Sequence, residues 1–358
     1  MEHIKKSLVV KGYSERAAQA VLDAHRKSTQ GLYDKKWDTF VEFAKTQDWS
    51  LEAITVPMVG EFLVHLRDGK HLKGSTIGTY LTAISSVLRR SCDINPSKSP
   101  DLQAMVRSFR LEDQKLVFKP PQWDLNTVLT HLSSAAFEPI DDIPLEALTI
   151  KTVFLLGMAT AARVSEIHAI DSTRITFDEG PVGVAHLGLA LDFVAKNQGL
   201  SEEARVFHIS PLSGGEGVRP EVILALCPVR ALKCYLRRTQ IFRRQRKRLF
   251  LPLGNKPGDI TKNSISYWLK SAILKAYDAA GLPSPTWARA HELRAVAASM
   301  ALHSNISVQT IVQGCFWRGD STFATHYLRD MSVQDVEGLK SFGPLVLAQQ
   351  IVNPPNRR

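Results

Sequence analysis

Two consecutive prolines, Pro120 and Pro121, sit in the stretch Lys115–Asp124, and they limit what this chain of 358 residues can fold into. Proline fixes φ and lacks an N–H, so neither a helix nor an inner strand runs through the pair. An extended linker over 116–124 is expected, with Asp124 capping the helix that follows. It separates a first domain over 1–115 from a larger one over 125–330 and a tail over 331–358. A chain of this length is long enough for both domains to have cores of their own.

The first domain reads as helical. Apolar residues recur three and four apart in Ala18, Val21, Leu22 and Ala24, then in Tyr33, Trp37, Phe40, Val41 and Ala44, then in Val59, Phe62, Leu63 and Leu66. A fourth helix starts at Gly74-Ser75 with a stripe of Ile77, Leu81, Ile84 and Leu88. Thr76, Thr79, Ser85, Ser86, Arg89 and Arg90 fall off that stripe. Such a face either meets water or lies along a DNA backbone, where Thr76, Arg89 and Arg90 are the candidate contacts. The second domain is expected to be mostly helical too. Two strands, Leu187–Val194 and Arg205–Ile209, are joined there by a polar turn that begins at Lys196. The fold class is therefore mainly α with a small β-sheet (α+β).

Lysine and arginine number 45 against 35 acidic residues, a formal charge of +10, which suits a polyanionic partner. The densest run is Arg237-Arg238 through Arg243-Arg244 to Arg246-Lys247-Arg248. It reads as a phosphate track, with Arg243 and Arg244 as candidates, as a nuclear import signal or as a solvated face. The cysteines, Cys92, Cys227, Cys234 and Cys315, form no Cys-x-x-Cys pair, so neither a disulfide framework nor a metal site is expected. No apolar run of about 18 residues appears, and the start Met-Glu-His-Ile-Lys-Lys has no apolar signal core. An intracellular protein without membrane partner is expected, nuclear if the host is eukaryotic. No phosphate-cradling loop or carboxylate cluster for metal chemistry stands out, so neither a cofactor nor a small-molecule substrate is expected.

Four pieces of the second domain carry chemistry, in the order Ala162-Arg163-Val-Ser-Glu166, Lys196, His291-Glu-Leu-Arg294, and Trp317 with Tyr327. They supply two planar guanidinium forks, an ammonium, an imidazole, an indole N–H and a phenol. That set suits holding a phosphodiester while a tyrosine oxygen attacks phosphorus. Arginine matches two phosphate oxygens and keeps its charge, whereas a phenol with a pKa near ~10 needs a positive site or a base to attack. His291 and Arg294 share a helix face at i and i+3, and Glu166 stands likewise to Arg163. Each piece has a plainer reading as core packing or an ion pair.

In this order the residues resemble the tyrosine recombinases, the phage-integrase, Cre and Xer family, whose pattern is Arg, Lys, His-x-x-Arg, His or Trp, Tyr. Leu226–Leu236 and the ending from Trp317 through Phe323 to His326-Tyr327-Leu-Arg329 look most like recombinases of DIRS- and Ngaro-type retroelements. The resemblance implies an N-terminal helical core-binding clamp and an integrase-type catalytic domain. It also implies double-stranded DNA as partner and a homo-tetramer on two sites. Tyr327 would form a 3′-phosphotyrosyl bond, Arg163 and Arg294 would hold the phosphate, and His291 would exchange protons. Trp317 would donate its indole N–H, Lys196 would protonate the leaving oxygen with Arg205 as its substitute, and Glu166 would orient Arg163. After Tyr327, the apolar residues Val333, Val336, Leu339 and Phe342, at near-helical spacing, and the stretch Leu345–Val352 need a groove to bury them. The resemblance implies a helix docked on a neighbouring subunit, and the alternative is a segment folded back on its own domain. Two alternatives share these residues: a type IB topoisomerase that relaxes DNA alone, and an inactive DNA-binding remnant of a mobile element.

Overall fold

The computed structural model describes residues 2–24, 27–113, 122–179, 183–196, 205–212, 219–254, 258–286, 288–317, 319–329 and 331. The chain divides into two compact units, 1–117 and 118–358, and residues 116–121 of the expected linker fall outside the described residues. The whole stretch proposed as a docking helix after Tyr327 lies outside them as well.

Unit 1 is helical: α1 (Glu2–Val10), α2 (Glu15–Asp23), α3 (Lys27–Thr46), α4 (Val56–Val64), α5 (Gly74–Ser91) and α6 (Pro100–Glu112). Side-chain caps set several starts. Ser14 accepts from the N–H of Ala17, and Ser99, followed by a proline, accepts from that of Leu102. The stripe of Ile77, Leu81, Ile84 and Leu88 is buried against Phe40, Phe62 and Leu66. Gly74 lets α5 approach α6, since a Cβ there would lie 2.6 Å from the backbone nitrogen of Arg110. Ser85 departs from the expected polar face. It is buried, and its hydroxyl accepts from the N–H of Ser97, which leads into α6. Of the candidate contacts on α5, Arg89 is exposed while Thr76 and Arg90 are half-buried, and Arg90 donates back to the carbonyl of Ser86.

Unit 2 holds α7 (Leu125–Leu132), α8 (Leu145–Thr160), α9 (Val164–Ala169), α10 (Pro220–Leu226), α11 (Pro228–Arg243), α12 (Lys262–Ala279), α13 (Ala290–His303) and α14 (Val308–Gly314). Asp124 caps α7 by accepting from both the N–H and the hydroxyl of Thr127. A three-stranded antiparallel sheet, ordered β1 (Ile170–Phe177), β2 (Ala185–Leu189) and β3 (Val206–Ile209), completes the unit. The strand expected over Leu187–Val194 starts earlier and ends at Leu189, because the N–H of Ala190 turns to the carbonyl of Ala169. β1, absent from the expectation, pairs Ile175 with Leu187 and Phe177 with Ala185.

Helix α8 is buried from Leu148 to Thr160 without a break, as befits a central helix packed by α11, α12 and α13. Gly157 sits where α13 crosses it, and a Cβ there would lie 2.5 Å from Leu293. That close crossing brings the end of α8 beside His291 and Arg294. Among the described residues, no helix is long and apolar enough to cross a membrane.

Candidate active site

The site begins where α8 stops. Ala161 takes a left-handed conformation, φ 45°, and the chain turns through Arg163 into α9. Glu166, one turn on, is 1% exposed, and its carboxylate accepts from the backbone N–H of Arg163 at 2.7 Å and from Arg163 Nη1 at 3.1 Å. Arg205 Nη1, from the residue before β3, reaches the same carboxylate at 2.9 Å, and Arg294 Nη1 lies 3.5 Å away. Three guanidiniums thus share one carboxylate.

Arg294 is 2% exposed on α13. Its Nη1 donates to the carbonyl of Ala161 and its Nη2 to that of Cys315, both at 2.6 Å, so the fork clasps the two chain segments that carry Arg163 and Trp317. The guanidinium lies 4.9 Å from the Trp317 ring and 5.4 Å from the Tyr327 ring. Those rings stack with centroids 4.5 Å apart, and Phe323 also stacks with the indole, at 5.5 Å. Two buried donors in this group have no acceptor among the described residues: Nε of Arg294 and Nε1 of Trp317.

His291 opens α13, and its ring centroid is 5.3 Å from that of Tyr327. Its side chain reaches solvent, yet the protein crowding the ring lowers its pKa below the usual histidine value, and the charge of Arg294 adds to this. The imidazole is accordingly held toward its neutral form. Cys315 is no rival nucleophile, since burial pushes its thiol up to about 11.

Arg163, Glu166, His291, Arg294, Trp317 and Tyr327 therefore come together. Lys196 does not join them in the same way: it is exposed and directly precedes 197–204, which lie outside the described residues. Among the described residues, no hydrogen bond or ion pair links Lys196 to the cluster. Arg205, its substitute in the sequence reading, is instead drawn into the cluster by Glu166 and lies 4.6 Å from the Phe316 ring. Sequence reading missed this pairing, and also the fork between Glu292 and Arg329, because nothing local marks partners so far apart in the chain. Among the described residues, no group of three or more His, Cys, Asp or Glu side chains could hold a metal ion.

The basic run on α11 is placed differently. Arg243 is half-buried, its Nη1 donates to the carbonyl of Arg248, and its Nη2 donates to Thr239 Oγ1 and the carbonyl of Leu249. It is thus held against its own helix and the loop that follows. Arg244 is exposed.

Residues 10–93 match the phage integrase SAM-like domain family. No curated protein matches the chain. Among solved structures, the chain is similar to the Tn1549 transposon integrase in complex with transposon right-end DNA. That likeness has a TM-score of 0.55 and 13% identity, and it covers 88% of this chain and 94% of that one. The XerH site-specific recombinase bound to its difH substrate is similar at a TM-score of 0.50 and 17% identity, over 84% of this chain and 75% of that one. A lambda integrase dimer bound to a core site is similar at 0.50 and 16% identity, over 86% and 73%. At such identities the likeness is one of fold. The chain has the integrase fold, with a phage integrase SAM-like domain at residues 10–93 and structural neighbours that are tyrosine recombinases.

Proposed function

We propose that this chain breaks and rejoins DNA strands, with Tyr327 as the nucleophile and double-stranded DNA as the substrate. The observation that carries the reading is the pair of orphan donors, Arg294 Nε and Trp317 Nε1, beside the stacked Tyr327 ring, where Arg163 and Arg294 share the Glu166 carboxylate. Buried N–H groups of native proteins nearly always find an acceptor, so two orphans side by side mark a place for acceptor oxygens. A phosphodiester supplies both the oxygens and the negative charge.

In the step proposed, Tyr327 Oη bonds to phosphorus, the bond to the 5′-oxygen breaks, and a 3′-phosphotyrosyl link remains. His291, held toward its neutral form, takes the phenolic proton. Arg163, Arg294 and Trp317 meet the charge that develops on the phosphate oxygens, with one such donor worth ~3 kcal/mol. Lys196 is the proposed donor to the departing 5′-oxygen. The link conserves the energy of the broken bond, so reversal rejoins DNA, and no step calls for a metal ion or a nucleotide. Four copies on two duplexes are the proposed assembly.

Trapping tests this reading. On duplexes nicked so that the cleaved piece diffuses away, the protein should accumulate a covalent adduct with DNA. Tyr327→Phe, which lacks only the attacking oxygen, should bind the duplex equally well and form no adduct. An adduct from the Phe variant would remove Tyr327 from its role.

A further inference from the structure

We propose that Glu292, Arg329 and Ser299 form a positioning latch that ties the backbone on both sides of Tyr327 to the helix bearing His291 and Arg294. The proposal rests on Tyr327 being the nucleophile. Arg329, two residues past the tyrosine, forks the Glu292 carboxylate, with Nε to Oε1 at 2.6 Å and Nη2 to Oε2 at 3.0 Å. Both side chains are largely buried, at 13% and 10% exposed. Glu292 is the neighbour of His291 on α13. Two turns along the same helix, the buried Ser299 hydroxyl donates to the carbonyl of Tyr327 at 3.2 Å and accepts from the N–H of Arg329 at 2.8 Å.

The local chain explains why a latch is needed. Phe323–Tyr327 is a wide π-helical turn rather than a regular helix, closed by the Leu328 N–H on the carbonyl of Phe323. The three-residue helix before it, Asp320–Thr322, buries none of its residues. Beyond Phe323 and the Tyr327 ring, the segment is thus anchored mainly through polar bonds to α13. A bidentate, charge-assisted pair fixes angle as well as distance, and the serine pins the main chain next to it. Arg329 Nη1 also donates to the carbonyls of His326 and Leu328, so one guanidinium gathers its own segment and binds it to α13. The result is a tyrosine held against the histidine and arginine of its own subunit. Residues that set an attacking atom act through geometry, where a shift of ~1 Å costs on the order of 100-fold in rate.

Single-turnover cleavage at saturating DNA tests the latch. Glu292→Gln and Arg329→Gln should each keep duplex affinity within about 2-fold and slow adduct formation by on the order of 100-fold. A substrate with a 5′-bridging sulfur, which leaves without a proton, should show the same slowing, since the defect lies in the attacker. The exchanged pair, Glu292→Arg with Arg329→Glu, should recover at least about 10-fold over either single variant, the signature of direct coupling. Unchanged cleavage in the single variants, equal loss of affinity and rate, or an exchanged pair no better than the singles would overturn the latch. Amide hydrogen exchange of 319–329 reads it without turnover, and Glu292→Gln should open this segment while α8 stays protected. If the unaltered protein forms no adduct, the nucleophile reading fails. The latch then stands or falls on that exchange, which must rise in Glu292→Gln.

Discussion

Around Glu166, three arginines far apart in sequence, Arg163, Arg205 and Arg294, converge on one buried carboxylate. Along α11 and the loop after it, arginines close in sequence disperse. Arg237 pairs with Asp141, Arg238 donates to the carbonyls of Ile140 and Ile143, Arg243 folds onto the loop, and Arg248 donates to the carbonyl of Ala169. The reason is geometric. Neighbours on a helix point around its axis, so a dense run cannot focus its charge, whereas residues from separate elements can aim at one point. The two regions also differ in partners. In the run, Asp141 pairs with Arg237 and Asp192 with Arg248 while carbonyls accept from Arg238 and Arg243, each guanidinium with its own partners. In the cluster, three guanidiniums share the one carboxylate of Glu166. A concentrated field, the kind that raises local anion binding, belongs to the cluster.

The largest expected effect follows from removing that one acid. Glu166→Gln leaves three guanidiniums facing one another in the interior and takes the second acceptor oxygen away from the Arg163 N–H. Breaking a buried ion pair from one side costs about 3–5 kcal/mol, so urea or thermal unfolding should show a loss of that size. Sulfate should restore part of it, because an anion then meets the exposed charge. A variant as stable as the parent and indifferent to sulfate would mean that the cluster is solvated, and the contrast with α11 would vanish.

Locality explains how much of this was legible in the sequence. Ile77, Leu81, Ile84 and Leu88 showed α5 because one face is buried and the spacing records it. Ser85 escaped because a buried hydroxyl with a backbone partner looks polar in sequence. α8 leaves no stripe, since a helix buried on all sides has no polar face to alternate with. β1 was hidden by its composition: Asp171, Ser172, Thr173 and Arg174 interrupt any apolar alternation, and the ladder is irregular between Ile170 and Ile175. In the site, the pair of Arg163 with Glu166 was readable at i and i+3. The clasp of Arg294 on the carbonyls of Ala161 and Cys315 was not, because it depends on how α8 and α13 cross at Gly157.

A smaller effect is expected on the α11 side. Arg243→Ala removes three hydrogen bonds from a guanidinium to Thr239, Arg248 and Leu249, and destabilisation of about 1–3 kcal/mol should follow. Duplex affinity should hold, and so should its salt dependence. A phosphate contact would behave the other way, with weaker binding, a salt slope reduced by about 1 and little change in stability. Titrations at several salt concentrations beside a melting curve separate the two.

The smallest effect concerns Arg244, where the run breaks from the helix. Its backbone takes φ 48° and ψ −117°, angles at which a Cβ crowds the adjoining peptide, and its side chain is exposed. The strain of such a residue is on the order of 1–3 kcal/mol, and glycine removes it while adding about 0.5–1 kcal/mol of unfolded-chain entropy. Arg244→Gly should therefore stabilise unit 2 by about 1 kcal/mol, a rise in Tm of about 2–4 °C for a domain of this size. The same variant also reads the side chain. If Arg244 only closes the helix, duplex affinity is unchanged as stability rises. If Tm rises but binding weakens and its salt slope drops by about one, Arg244 holds a phosphate. The contrast with the Glu166 cluster would then narrow to Arg237, Arg238, Arg243 and Arg248, whose guanidiniums bond to the protein itself.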